Sequence, residues 1–289
     1  LFDNGAGASP LGVTTAGNPY PGFEATFPGL PVPGTTAHTW YLGPHGSLTG
    51  APATAKGEDS YTSNASALPL TDFGPKTGTG GLWGNASEWE WKWEQNPAGT
   101  AVSFVSEPLA ENMTAVGQGA VYAWLKSSTP DVDLQATVSE VRPDGNETFV
   151  QDGWLRASER TLATSSNNMF QQEPTLLSPI PTFRNNRAMP AGYTKVAIPL
   201  YFEGHAYRAG SRIRLTIAAP NGTQPIWSFG QTEPEGGTAT ESIGFSPTMP
   251  SNLVLPIVPG VSVPTALPAC PSLRNEPCRT YQAIVNNGS

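Results

Sequence analysis

Apolar and polar residues alternate along much of this chain with the two-residue period of an extended strand. Between Asp131 and Ser139, the residues Val132, Leu134, Ala136 and Val138 are separated by Asp133, Gln135 and Thr137, which predicts a strand with one face on a core and the other in water. Pro143, Asp144, Gly145 and Asn146 then supply a locked φ followed by residues that tolerate left-handed backbone, so the chain reverses into a second strand over Phe149–Ser158. The same pattern predicts a strand and turn over 38–48 and further strands at 101–106, 119–126, 131–141, 147–158, 194–202, 211–218, 240–245 and 252–258. Val196, Ile198, Leu200 and Phe202 alternate cleanly, but Pro199 falls on the outward register. That strand is therefore expected to lie at an edge or to carry a bulge. Ile213, Leu215 and Ile217 alternate with Arg212, Arg214 and Thr216, the clearest two-faced strand in the chain.

Other stretches lack this pattern. Residues 1–36 are rich in glycine and proline and read as an irregular or polyproline-like linker draped over a surface. Gly50–Gly81 is polar and weakly patterned, a long excursion. Residues 161–193 have no period at all, and connections of that length in a compact domain are usually functional or pack on a neighbour.

No window carries a 3.6-residue apolar repeat, and composition agrees: 31 Gly, 30 Pro and 13% charged residues describe many turns and few amphipathic helices. Short strands separated by such turns argue for an all-β sandwich or jelly roll with long irregular loops. A chain of 289 residues suits one large domain of this kind or two small ones. A net charge of −8 argues against nucleic acid or an anionic bilayer as partner, since phosphate is bound through lysine and arginine clusters. No apolar run is long enough to span a membrane. The chain starts at Leu1 inside what reads as a strand, so a processed or truncated piece of a longer protein is expected.

Candidate chemistry is sparse. Glu88–Glu94 reads EWEWKWE, which places Trp89, Trp91 and Trp93 on one strand face. They form either a platform on which sugar rings stack or a buried face packed on the core or a partner; the charged opposite face favours burial. Glu88, Glu90 and Glu94 share a face and point in parallel, so they do not flank a substrate as a glycosidase acid pair must. Cys270 and Cys278 lie in ACPSLRNEPCRTY and suggest a disulfide and an oxidising compartment, with two buried free thiols as the alternative. No histidine sits near them, which argues against a metal site. Asp131, Asp133, Asp144 and Asp152 could supply carboxylates to calcium, but no recognised calcium loop is present and a solvated acidic face accounts for them better. Sequons at Asn64, Asn85, Asn112, Asn146 and Asn221 are compatible with glycosylation in a eukaryotic host. A nucleophile elbow of the G-x-S-x-G type is absent; Ser9, Ser47 and Ser211 neighbour glycine without the flanking pattern. His38, His45 and His205 lie at a strand entrance, in a Gly-Pro-His-Gly turn and before a hairpin loop, and structural roles suit them better than catalysis.

The run DVDLQATVSEVRPDGNETFVQDGWLRASER at 131–160 resembles the signature hairpin in the C-terminal β-sandwich of the X-prolyl dipeptidyl peptidase and cocaine esterase-like serine hydrolases. WYLGPHGSLT (40–49), VSFVSEPLAENMTAVGQGAVYAWLKSS (102–128) and GHAYRAGSRIRLTIAAPN (204–221) are similar to other strands of that domain, in the same order. The resemblance implies a galactose-binding-like jelly roll over 37–289, preceded at 1–36 by a linker from an upstream α/β-hydrolase domain. It implies that the 161–193 insertion lies near that domain. Counterparts of the triad serine, acid and histidine are missing, so hydrolysis falls to a part outside this chain. The expected protein is the non-catalytic domain of a secreted serine hydrolase, without cofactor or metal, whose partner is the hydrolase domain of the same parent. A free-standing secreted carbohydrate-binding module with a glycan on the tryptophan row is the alternative.

Overall fold

The computed structural model describes residues 22–68, 93–164, 176–220, 239–271 and 277–288. Within them the strands are β1 (Thr36–Gly43), β2 (Ser47–Thr49), β3 (Gly57–Thr62), β4 (Ala101–Ser106), β5 (Met113–Ser127), β6 (Asp133–Val141), β7 (Asn146–Arg156), β8 (Thr194–Tyr207), β9 (Arg212–Ala218), β10 (Thr240–Phe245), β11 (Asn252–Ile257) and β12 (Cys278–Thr280). Helix among the described residues is confined to 3-10 turns at Pro44–Gly46 and Ala157–Glu159. The protein is all-β.

Hydrogen bonding runs in the order β11-β1-β2-β4-β9-β6-β7-β8-β5 and returns from β5 to β11, closing those strands into a barrel-like ring. β10 pairs with the last residues of β5 and carries β3 on its outer side. Closure removes edges that would otherwise template aggregation. Two joints of the ring are thin. β2 meets β4 in parallel through Ser47↔Val105 and Leu48↔Ser106, and β7 meets β8 only at Gly153↔Leu200. At that second joint a Cβ on residue 153 would stand 2.1 Å from the Pro199 carbonyl oxygen, so only glycine permits the two backbones to cross there.

The strand expectations at 101–106 and 240–245 match β4 and β10 residue for residue. Pro199 is accommodated by a bulge: the β5–β8 register shifts between Gln118 and Ala120, which face Phe202 and Pro199. β3 was not expected inside Gly50–Gly81. Its sequence GEDSYT offers only Tyr61 as a large apolar residue, yet Asp59 and Tyr61 both point inward and are buried. β12 also escaped the pattern, being three residues long.

Leu134, Leu155, Phe104, Leu215, Ile198, Leu200, Val121 and Leu253 fill the interior of the ring as one cluster. Each such side chain contributes about 1.5–3 kcal/mol by leaving water. On the other face of β5 and β8, Ala120, Tyr122 and Ala197 join Val254 in a smaller cluster capped by Leu177. The reading of β6 as half wet is corrected by the structure: Gln135 and Ser139, on its polar face, are buried. Arg214, on the polar face of β9, is likewise among the largest fully buried side chains. The segment after Cys278 lies across this face and covers it, as its contacts with Arg214 and Glu147 show.

Candidate functional site

The thin β7–β8 joint opens onto a concave trough of about 650 Å³. Leu134 of β6, Leu155 of β7 and Leu200 of β8 lie at its base, buried core residues beneath the point where the two strands separate. Trp154 and Tyr201 stand edge to face with centroids 5.4 Å apart. Pro179, Ile180, Pro181 and Phe183 add a wall from the connection before β8, and Pro199 and Pro220 add another. At the rim Arg156 donates to both oxygens of Asp133, at 2.8 and 2.9 Å, with Glu159 alongside.

Much of this apolar surface faces solvent: Phe183 is 70% exposed and Tyr201 48%. The wall is nonetheless firmly held. Ala163 N–H donates to the Ile180 carbonyl and Thr182 N–H to that of Thr161, while Tyr122 donates its hydroxyl hydrogen to Leu176 O. Arg160 donates to the carbonyls of Ala157, Arg187 and Ala188, tying the far end of the connection to the hairpin. Ser178 and Phe183 adopt left-handed backbone, at φ 57° and 53°. For a bulky aromatic this costs on the order of 1–3 kcal/mol and persists because the neighbouring bonds impose it. The sequence showed the connection as unpatterned and gave no sign of the trough.

The expected site residues are placed as follows. Cys270 and Cys278 form a disulfide. Arg142 donates to the carbonyls of Pro268 and Ala269, fixing the approach to that bridge. Trp93 is half-buried: Phe149 packs edge-on at 5.8 Å and the Arg279 guanidinium lies 3.7 Å from the ring centre. Trp89 and Trp91 lie outside the described residues, as do Glu88, Glu90, Asn85, Asn221 and Ser9. Asn64 is exposed and its side chain accepts from Ser66 N–H; Asn112 accepts from Ala209 N–H.

The acidic residues do not form the solvated face expected of them. Asp131 caps the 3-10 turn by accepting from the Ser158 N–H and hydroxyl, Asp133 pairs with Arg156, Asp144 with Arg142, and Asp152 accepts from Gln135. Each carboxylate is engaged by its own partner, and among the described residues no group of them could hold a metal ion.

His205 is sealed inside. Its Nε2 lies 2.8 Å from Glu140, and both side chains are almost fully buried. Tyr207 packs edge-on to the imidazole at 4.5 Å. Burial alone would raise the Glu140 carboxyl, but the hydrogen bond and charge of His205, with hydrogen bonds from Ser211 and the Arg208 N–H, together outweigh it and hold the group below its usual range. Two residues back along β8, burial pushes Glu203 up to about 7 despite His205 and Tyr207. Burial shuts these side chains off from solvent among the described residues. His38 stacks on Trp40 at 4.1 Å, and His45 sits in the Pro44–Gly46 turn with φ 57°. Ser211 is fully buried.

Comparison with known proteins adds to this geometry. Residues 7–254 match the family described as the X-Pro dipeptidyl-peptidase C-terminal non-catalytic domain. No curated protein matches the chain. Among solved structures, a CocE/NonD family hydrolase from Staphylococcus aureus superposes with a TM-score of 0.59 at 18% identity, over 81% of this chain and 39% of that one. An aminopeptidase from a marine sediment Thaumarchaeota archaeon gives 0.57 at 16% identity over 81% and 38%. An α-amino acid ester hydrolase gives 0.57 at 18% identity over 77% and 36%. These likenesses establish a shared fold, and the chain spans less than two fifths of the length of each.

Proposed function

Because the chain belongs to the X-Pro dipeptidyl-peptidase C-terminal non-catalytic domain family, we propose that it is the accessory domain of a secreted serine hydrolase. It packs against an α/β-hydrolase domain, stabilises it and helps wall its substrate pocket. Its barrel-like ring is then a jelly-roll sandwich, whose two layers separate at the thin joints.

The observation that carries this reading is the trough. Phe183 on the strapped connection, Trp154 on β7 and Tyr201 on β8 form one apolar surface, and apolar patches of this kind mark sites where another protein sits. The occupant is the catalytic domain, because the family is the non-catalytic one and the matched hydrolases are more than twice as long as this chain. An ordered wall also lowers the entropy cost of docking. The Cys270–Cys278 disulfide supports an oxidising compartment, and hence secretion.

Hydrolysis of aminoacyl-proline amides and aryl esters, measured on the chain alone and on the chain joined to its catalytic domain, tests the assignment. Activity should appear only in the joined protein, and turnover by the isolated chain would overturn it.

A further inference from the structure

The C-terminal residues of this chain are seated as a peptide ligand would be. β3 pairs on one side with β10, and β4 pairs with β9 and, at its end, with β2. The space between β3 and β4 is taken by residues 286–288. The Asn286 carboxamide reads the backbone of Ser103 in both directions: its Oδ1 accepts from Ser103 N–H at 2.8 Å and its Nδ2 donates to Ser103 O at 2.9 Å. The same Nδ2 donates to Asp59 Oδ2 at 2.8 Å. Asn287 forms an antiparallel bridge with Ser60, whose N–H donates to Asn287 O at 3.1 Å. At Gly288, with φ +135°, a Cβ would stand 2.4 Å from Glu58 O.

Each position has a chemical requirement. A carboxamide of asparagine length supplies one acceptor and two donors, whereas a carboxylate there would face both Asp59 and the Ser103 carbonyl. Main-chain pairing with Ser60 demands an extended segment, and the last position demands glycine. The residues leading to this seat make a loosely covered tether: Gln282 and Ala283 are exposed, Ile284 is half-buried and Val285 is 84% exposed. A seat with side-chain and backbone specificity joined to a solvent-exposed tether is the arrangement of strand addition, in which backbone bonds give affinity and side-chain positions give selectivity.

We propose that the gap between β3 and β4 is a binding groove for an extended Asn-Asn-Gly peptide, filled in cis by residues 286–288. When its own segment is withdrawn, the groove takes the same segment in trans. The groove is separate from the trough, so the proposal stands apart from the hydrolase reading.

The test is a chain ending at Ala283, which keeps Arg279 and Tyr281, titrated with a synthetic peptide of residues Gln282–Gly288 and followed by calorimetry and by Tm. The peptide should bind and raise the Tm of the shortened chain. The Asn286→Ala peptide should bind at least tenfold more weakly, and the full-length chain should bind neither. A shortened chain that takes no peptide, an Asn286→Ala peptide that binds equally well, or equal binding to the full-length chain would each overturn the proposal. If the shortened chain does not fold, the full-length Asn286→Ala protein decides. Exchange of the Ser60 and Ser103 amides should then be at least tenfold faster while β6 and β9 stay protected, and unchanged exchange would sink the idea.

Discussion

Glu147 on β7 and Arg214 on β9 face each other across the intervening β6 at 2.8 Å, and neither side chain has any surface in water. Ser139 of β6 donates to the other Glu147 oxygen at 2.6 Å, and Ser103 accepts from Arg214 Nε at 2.7 Å. Arg279, next to the disulfide, reaches the same carboxylate at 2.9 Å, and Tyr281 stacks beneath the Arg214 guanidinium. One anion thus serves two cations. Burial lowers the Arg279 guanidinium pKa although Glu147 opposes this.

Glu147→Gln leaves both guanidinium groups without their counter-charge. Removing one partner of a buried pair costs about 3–5 kcal/mol. Urea unfolding should show a loss of that order, with the Glu147→Gln and Arg214→Met double variant less impaired than Glu147→Gln alone. Equal losses in the two would mean that the carboxylate is not the organising charge.

Stability should depend on pH through Glu203. The folded protein keeps this carboxyl protonated up to about 7, while an unfolded chain releases the proton near 4.5. A raised pKa in the folded state means that the contribution is full below the unfolded value and is lost as pH rises through the folded one. Stability should therefore fall by on the order of 3 kcal/mol across that interval. Glu241, pushed up to about 7 by burial, adds a fall of the same sign. Chemical denaturation at a series of pH values, repeated on Glu203→Gln, should show a shallower slope in the variant.

Phe183→Asp and Tyr201→Asp alter exposed trough residues, so neither should destabilise the isolated chain by more than about 1 kcal/mol, and Phe183→Asp, whose side chain tolerates the left-handed backbone at that position, should relieve part of the strain there. Joined to the catalytic domain, they should loosen the interface and lower the temperature at which activity is lost. Surface plasmon resonance between separately produced domains gives the direct measure, with at least a tenfold weaker Kd expected. Unchanged affinity would move the docking face elsewhere.

Gly153→Ala places a methyl group against the Pro199 carbonyl, backbone that cannot swing aside. The loss should reach or exceed the roughly 1–3 kcal/mol of ordinary overpacking. A Tm within a degree of wild type would show that the joint yields more freely than its geometry implies.

Strands with apolar alternation were legible in the chain because one face of each meets a common core; β4, β6, β7 and β9 all follow that rule. What escaped reading depends on contacts distant in sequence. Arg214 looks like a solvent residue until Arg279 and Tyr281, over sixty positions later, are laid over it. GEDSYT becomes a strand only because β10 offers it a partner in register, Glu241 opposite Tyr61. The trough was hidden because its wall is built from two prolines, an isoleucine and an aromatic in left-handed backbone, a run with no period. Trp93, read as one of a row, owes its setting to Phe149 and Arg279, neither of them near it in sequence.

The single backbone pair between β7 and β8 gives the barrel an uneven compliance. A load on the ring concentrates where the fewest hydrogen bonds share it, and local openings follow the same economy. The trough lies on that soft line, so whatever seats there ties the two lips together. The catalytic domain would then act as a splint on its accessory, stabilising the barrel in proportion to its own affinity for the folded state. Support between the two would run in both directions.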